Sequence, residues 1–230
     1  MPTLGDGPID EPQETLMTEH TDTDSTTDAS TDQPTVRHIG LLLFDQVEEL
    51  DAVGPWEVLA CWTLLHPEDG WAVATMSLDG TPVTGAKGLS IGAQRSFEDA
   101  PHLDVLIHPG GEGTCRLQQD AEHLDWVRSR RGTTSLMTSV STGSQVYAAA
   151  GLLTNRRATT HWASLNLLSE LDPTVRTDVD ARFVDDGDLI TSAGVSAGID
   201  MALHLVARLA GPDRAREVRR GIQYDPRPPI

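Results

Sequence analysis

The 230-residue chain is poor in lysine, cysteine and aromatic residues, and it has no long apolar run. Lys87 is its only lysine, and the formal charge of −18 argues against nucleic acid or an anionic membrane as partner. Cys61 and Cys115 lack C-x-x-C spacing, so we expect two free thiols and no metal site. Without a leader pattern or a run of roughly 18 apolar residues, the protein is expected to be soluble, unsecreted and cytoplasmic.

The first 35 residues differ in composition from the rest. They contain nine acidic residues, no lysine or arginine, and no hydrophobic period. This composition predicts a disordered, solvated tail, with a partner-binding arm as the alternative. Residues 36–230 are then expected to form one domain.

From residue 36 onward, apolar strand-like runs alternate with amphipathic helical segments. The strand-like runs are VRHIGLLLF, WAVATMSL, LDVLIHPGG, TTSLMTSV and two short ones at Ala181–Val184 and Leu189–Thr191. Helices are predicted for about Leu50–Leu64, Cys115–Arg130, from Thr142, His161–Leu171, Gly194–Leu209 and from Asp213. The alternation predicts an α/β fold with a mostly parallel sheet, helices on both faces and a site at the carboxyl ends of the strands.

The segment TTSLMTSVSTGS at Thr133–Ser144 suggests a nucleophile. An apolar strand breaks abruptly at Ser141 and is followed at once by the helix-forming run QVYAAAGLL. Such a turn lifts the Ser141 side chain to the edge of the sheet, beside the unpaired amides of the helix start. A hydroxyl is a weak nucleophile unless a neighbouring base takes its proton.

Asp51 is the candidate acid, because it begins the apolar helix after VEEL. A carboxylate at this position can also be a simple helix cap. Glu48 and Glu49 crowd the same stretch, and like charges in a partly buried cleft favour the protonated form of one carboxyl.

The run LIHPGGEGT and the string RRATTHWAS supply the other candidates. Gly110 and Gly111 follow a strand, so the amides of Gly111 and Thr142 are expected to converge on a developing negative charge. His161 is either a general base or a buried structural histidine, and Trp162 is packing or a pocket wall.

The remaining histidines are less informative. His108, like His161, is either a general base or a structural histidine, and the structural interpretation is preferred. His102, His123 and His204 are expected to be solvated or core residues without partners. The Cys115 thiol follows the glycine pair closely enough to reach the pocket.

Several segments together resemble a known family over residues 36–230. They are LLLFDQVEELDAVGPWEVL, LIHPGGEGT, SVSTGSQVYAAAGLL, ATTHWASLNLL, TSAGVSAGIDMALHLV and YDPRPPI. The chain is similar to the ThiJ/PfpI superfamily of the class I glutamine amidotransferase-like fold, and within it to the isonitrile hydratase branch.

This resemblance implies a flavodoxin-like three-layer sandwich, a homodimer, a small-molecule substrate and no metal or organic cofactor. It places the family's cysteine nucleophile, the following threonine and the acidic partner on Ser141, Thr142 and Asp51. The implied reaction adds water to an isonitrile to give an N-substituted formamide.

Serine in place of the cysteine leaves three functions open, because modest help from a helix start cannot ionise a hydroxyl. The first is isonitrile hydration by Ser141 or by water held on Asp51. The second is a catalytically retired binding or stress-response protein. The third is another reaction on the same scaffold, such as acyl hydrolysis by Ser141 and His161 or glyoxalase-like hydration.

Overall fold

The computed structural model describes residues 35–226, and all but the last residue of the predicted acidic tail lies outside them. The strands are β1 Arg37–Leu42, β2 Trp71–Ser77, β3 Val83–Thr84, β4 Ser90–Ile91, β5 Arg95–Ser96, β6 Val105–His108, β7 Leu136–Val140, β8 Arg157–Ala158, β9 Arg176–Thr177, β10 Phe183–Asp185 and β11 Leu189–Ser192. The α-helices are α1 Glu49–Leu65, α2 Thr114–Leu117, α3 Ala121–Arg131, α4 Gly143–Ala149, α5 Leu165–Leu171, α6 Ala197–Ala210 and α7 Pro212–Gly221.

Seven strands form the central sheet in the order β10-β11-β7-β6-β1-β2-β5. Every neighbouring pair is parallel except β10 with β11 at one edge. The central strands β6 and β7 are buried along their whole length, as expected for apolar strands covered on both faces. This arrangement confirms the predicted flavodoxin-like α/β fold with a mostly parallel sheet.

The helices form two groups on the sheet. Helices α1, α6 and α7 contact one another, and α4 contacts α2, α3 and α5. Because β1, β6 and β7 are adjacent, the loops after their carboxyl ends meet at one edge. The predicted site residues at the starts of α1 and α4 and in the loop after β6 all belong to this edge.

Several predicted boundaries were wrong. The helix predicted for Cys115–Arg130 is two helices, because the Asp120 carboxylate accepts the amides of Glu122 and His123 and so starts α3 separately. The helix predicted for His161–Leu171 begins with a 3-10 turn, Trp162–Ser164, before α5.

Other differences concern short elements. The predicted helix from Gly194 starts only at Ala197, and the strand predicted at Ala181–Val184 is Phe183–Asp185. Strands β3, β4, β5, β8 and β9 were not predicted, because two residues are too few to show an alternating pattern.

Candidate active site

Ser141 lies in a strained turn between β7 and α4. Its φ is +54°, a left-handed conformation that is uncommon for residues other than glycine. Its amide donates to the carbonyls of Ser192 (3.0 Å) and Ala193 (3.3 Å), which holds the turn against the end of β11. The residue is only 5% exposed, so its side chain is almost completely buried.

The start of α4 also requires close approach to β6. A Cβ atom on Gly143 would lie 2.2 Å from the carbonyl oxygen of His108, so a larger residue would push the two segments apart. The carbonyl of Ser141 accepts hydrogen bonds from the hydroxyls of Thr160 (2.8 Å) and Ser144 (3.0 Å). The turn is therefore fixed by neighbours on three sides.

Asp51 is fully buried in the first turn of α1 and does not act as a helix cap. Its Oδ2 accepts the amide of Gly110 (3.0 Å), and its Oδ1 accepts the amide of Val195 (2.9 Å) from the loop before α6. The carboxyl thus joins α1 to two loops at the edge of the sheet.

Burial raises the pKa of Asp51 to about 7, and the negative charge of Glu48 adds to this effect. The amides of Gly110 and Val195 and an interaction with the Ser141 side chain act in the opposite direction. Burial is thus a larger cause of the raised pKa than the like charge that the sequence suggested. A carboxyl with this pKa can both donate and accept a proton at neutral pH.

The glycine loop after β6 lies against this carboxyl. A Cβ atom on Gly110 would lie 2.6 Å from the amide nitrogen of Thr142 and 2.8 Å from Asp51 Oδ2, so no side chain fits there. Gly111 has a φ of +129°, and its amide donates to Thr142 Oγ1 (2.9 Å).

The two amides predicted to converge on an oxyanion differ in this structure. The Gly111 amide is already paired with Thr142 Oγ1, whereas the Thr142 amide has no acceptor within residues 35–226. The Thr142 hydroxyl also receives a contact from Thr114 Oγ1 at 2.9 Å. Of the two amides, Thr142 is therefore the one that keeps an unpaired N–H group.

His161 and Trp162 follow Thr160 on the same side of the site. His161 Nδ1 accepts the amide of Ala163 (3.3 Å), and the ring packs against Gly194, where a Cβ atom would lie 2.2 Å from Cδ2. Within the described chain, no hydrogen bond joins His161 to Ser141. The Trp162 side chain is 78% exposed, so it does not pack in the core, and the catalytic and binding roles of both residues stay predictions.

Two histidines expected to lack partners have them, so that expectation was wrong. His123 Nε2 lies 3.0 Å from His108 Nε2, and His204 Nε2 lies 2.7 Å from Asp185 Oδ2. The Cys115 thiol is free, and the residue is exposed.

Sequence reasoning missed two contributors to the site. Val195 supplies an amide to Asp51 although 144 positions separate the two residues, and Thr114 contacts Thr142. Both occur in strings that support the family resemblance, GVSAG and GGEGT, but nothing in those strings indicates which group they bind.

Comparison with known proteins assigns the chain to a family. The family model described as "DJ-1/PfpI family" matches residues 37–208. The chain belongs to the DJ-1/PfpI family. Among family members, an isonitrile hydratase from Pseudomonas putida is 44% identical over 192 residues, which cover 84% of this chain and 80% of that protein.

Structural and regulatory relatives extend this comparison. A ThiJ/PfpI family protein from Pseudomonas syringae has a TM-score of 0.76 and 31% identity, covering 90% of this chain and 84% of that chain. The HTH-type transcriptional regulator GlxA of Rhizobium meliloti is 34% identical over 192 residues. The matched region covers 83% of this chain and 58% of the regulator. Within residues 35–226, no helix has the length and apolarity needed to cross a bilayer.

Proposed function

We propose that this DJ-1/PfpI protein adds water to small isonitriles and releases N-substituted formamides. The observation that carries the proposal is the buried Asp51 carboxyl, which accepts the amides of Gly110 and Val195 and whose pKa burial raises to about 7. The 44% identity to an isonitrile hydratase supports this reaction over others in the family.

The reaction forms one C–O, one C–H and one N–H bond, and both hydrogens come from water. Protonated Asp51 gives its proton to the isonitrile carbon while an oxygen nucleophile attacks the same carbon. The Asp51 carboxylate then takes a proton from the attached oxygen, which restores its starting state. The resulting imidic acid tautomerises to the formamide.

The attacking oxygen belongs to water held by Asp51 or to Ser141. Attack by Ser141 gives an imidate ester, which water then hydrolyses to release the same formamide and the free hydroxyl. The unpaired Thr142 amide supports the reaction by donating to the lone pair that forms on the isonitrile nitrogen as the imidic acid or imidate ester is made. We further propose a homodimer in the cytoplasm, without a metal or organic cofactor.

The test is formamide production from cyclohexyl isonitrile, followed by NMR. We expect turnover by the wild-type protein, loss of at least 100-fold in Asp51→Asn (about 10² from a lost acid–base group), and no change in Asp213→Asn. Asp213 is an exposed residue of α7 and serves as the matched control. Absence of formamide with the wild-type protein contradicts the proposal.

A second candidate function is ligand binding without catalysis. Two observations favour it: Ser141 occupies the position where the resemblance implies a thiol, and the regulator GlxA is a 34% identical relative. Ser141→Cys separates the two functions. Hydratase activity that appears only in Ser141→Cys supports a retired binding protein, and activity in the wild type supports the enzyme.

A further inference from the structure

A cavity lies on the side of the sheet covered by α2 and α3. Its volume is about 400 Å³, and neither Ser141 nor Asp51 lines it. Its apolar walls are Leu43, Phe44, Val83, Phe97, Leu117 and Trp126. Phe97 and Trp126 stack with their ring centroids 4.2 Å apart, so the cavity has a firm aromatic wall that suits a small apolar body.

His123 also lines this cavity, and its tautomer follows from its partners. His108 Nδ1 lies 2.8 Å from the carbonyl of Pro109, which can only accept, so Nδ1 of His108 carries the hydrogen. Burial lowers the pKa of His108 to about 3, so its Nε2 is an acceptor. His123 must then donate through Nε2 at 3.0 Å, which leaves its Nδ1 as an acceptor.

The Nδ1 atom of His123 has no hydrogen-bond partner within residues 35–226. Burial lowers the pKa of His123 to about 4, so the ring is neutral at pH 7. A ligand in this cavity that satisfies Nδ1 must therefore be a hydrogen-bond donor.

The charges around the cavity determine which kind of hydrogen-bond donor binds there. Four acidic residues line it, Asp45, Asp79, Asp120 and Glu122, and Arg116 is the one cationic residue in the lining. The surplus of negative charge favours a cation over an anion of the same shape.

We propose that this cavity is a binding site for small primary ammonium compounds with an apolar body. The ammonium group donates to His123 Nδ1 and lies among the carboxylates, while the apolar body packs on Phe97 and Trp126. This site is separate from the Asp51 site, and its test measures binding, not turnover.

Isothermal titration with benzylammonium tests the assignment. We expect one saturable site with a Kd on the order of 1 mM or tighter, given a ligand of so few atoms. Benzyltrimethylammonium, which keeps the charge and ring but has no N–H group, and benzoate, which reverses the charge, should both bind at least fivefold more weakly (about one lost hydrogen bond). Equal or tighter binding of either compound, or no binding of benzylammonium, overturns the proposal.

Substitutions at two exposed residues of the lining should change the affinity for benzylammonium in opposite directions and so locate the site. Glu122→Gln should weaken benzylammonium binding by about two- to fivefold, and Arg116→Gln should strengthen it by a similar factor. His123→Leu should weaken binding about fivefold or more, with thermal unfolding as the control for its fold. If His123→Leu does not fold, the Glu122 and Arg116 variants still decide, because unchanged affinity in both overturns the proposal.

Discussion

His108 and Asp51 bind opposite ends of the same peptide group. His108 Nδ1 donates to the carbonyl of Pro109 at 2.8 Å, and the amide of Gly110, in the same peptide unit, donates to Asp51 Oδ2 at 3.0 Å. Hydrogen bonds in such a chain polarise one another, so the histidine pair strengthens the donor that Asp51 receives. The environment of the acid is therefore set partly by residues outside the Ser141 site.

The titration of Asp51 should appear in the pH dependence of stability. Because its pKa rises to about 7 on folding, the folded protein binds more protons than the unfolded chain between pH 3.8 and about 7. The stability that Asp51 contributes is full below this range and is lost as the pH rises through about 7. Urea unfolding at about pH 5 and pH 8 should show the wild type losing on the order of a few kcal/mol relative to Asp51→Asn. A difference independent of pH contradicts a raised pKa.

The His108–His123 pair should change stability with pH in the opposite direction. The pKa values of His108 and His123 fall from 6.5 to about 3 and about 4 on folding, so the folded protein binds fewer protons in this range. Their contribution is present above pH 6.5 and is lost as the pH falls toward about 4. His123→Gln keeps an N–H donor for His108 but does not titrate, so it should retain more stability than the wild type on acidification. If the free energies of unfolding of the two proteins change in the same way between about pH 7 and about pH 4.5, this role of the histidine pair is excluded.

Gly110 should tolerate no side chain. In Gly110→Ala the new Cβ atom meets the Thr142 amide and Asp51, so we expect a destabilisation of about 1–3 kcal/mol and loss of formamide production. Gly92→Ala is the matched control, because nothing lies within 4 Å of its added Cβ atom, and it should stay within about 0.5 kcal/mol of the wild type. Equal effects of the two substitutions would show that the Gly110 site is not tightly packed.

Lys87 should lower the pKa of Asp51 through its pairing with Glu48. Its ammonium pairs with the Glu48 carboxylate and lies 3.5 Å from Glu49 Oε2, and Glu48 raises the pKa of Asp51. Lys87→Met leaves Glu48 uncompensated and should raise the pKa of Asp51 further, whereas Glu48→Gln should lower it. Lys87→Arg keeps the charge and serves as the control. The ¹³C carboxyl titration of Asp51 measures these values, and shifts of the same sign in Lys87→Met and Glu48→Gln contradict the model of charge compensation.

Much of the fold, and part of the site, could be predicted from the local pattern of the sequence. The alternating runs predicted the parallel sheet, and the break after the TSLMTSV run predicted the turn at Ser141 with its helix start. Two-residue strands and the boundary between α2 and α3 were missed, because they depend on a cap at Asp120 and on pairing with distant strands.

The pairing of Asp51 with Val195 and of His123 with His108 could not be predicted, since neither pair is close in sequence. Local sequence cannot indicate which distant backbone amide a carboxyl will meet. It also cannot give the degree of burial, which is the main cause of the raised pKa of Asp51.

The sequence by itself determined the class of fold and the turn that presents Ser141, because both depend on the local periodicity of apolar residues and on the breaks in it. Only the tertiary structure decided the chemistry of Asp51 and the cavity beside His123. The strand order β10-β11-β7-β6-β1-β2-β5 differs from chain order, so it brings the loops before α6, after β6 and at the start of α1 together around one buried carboxyl. The pKa of that carboxyl depends on the water excluded by these loops, which is a property of the packed molecule.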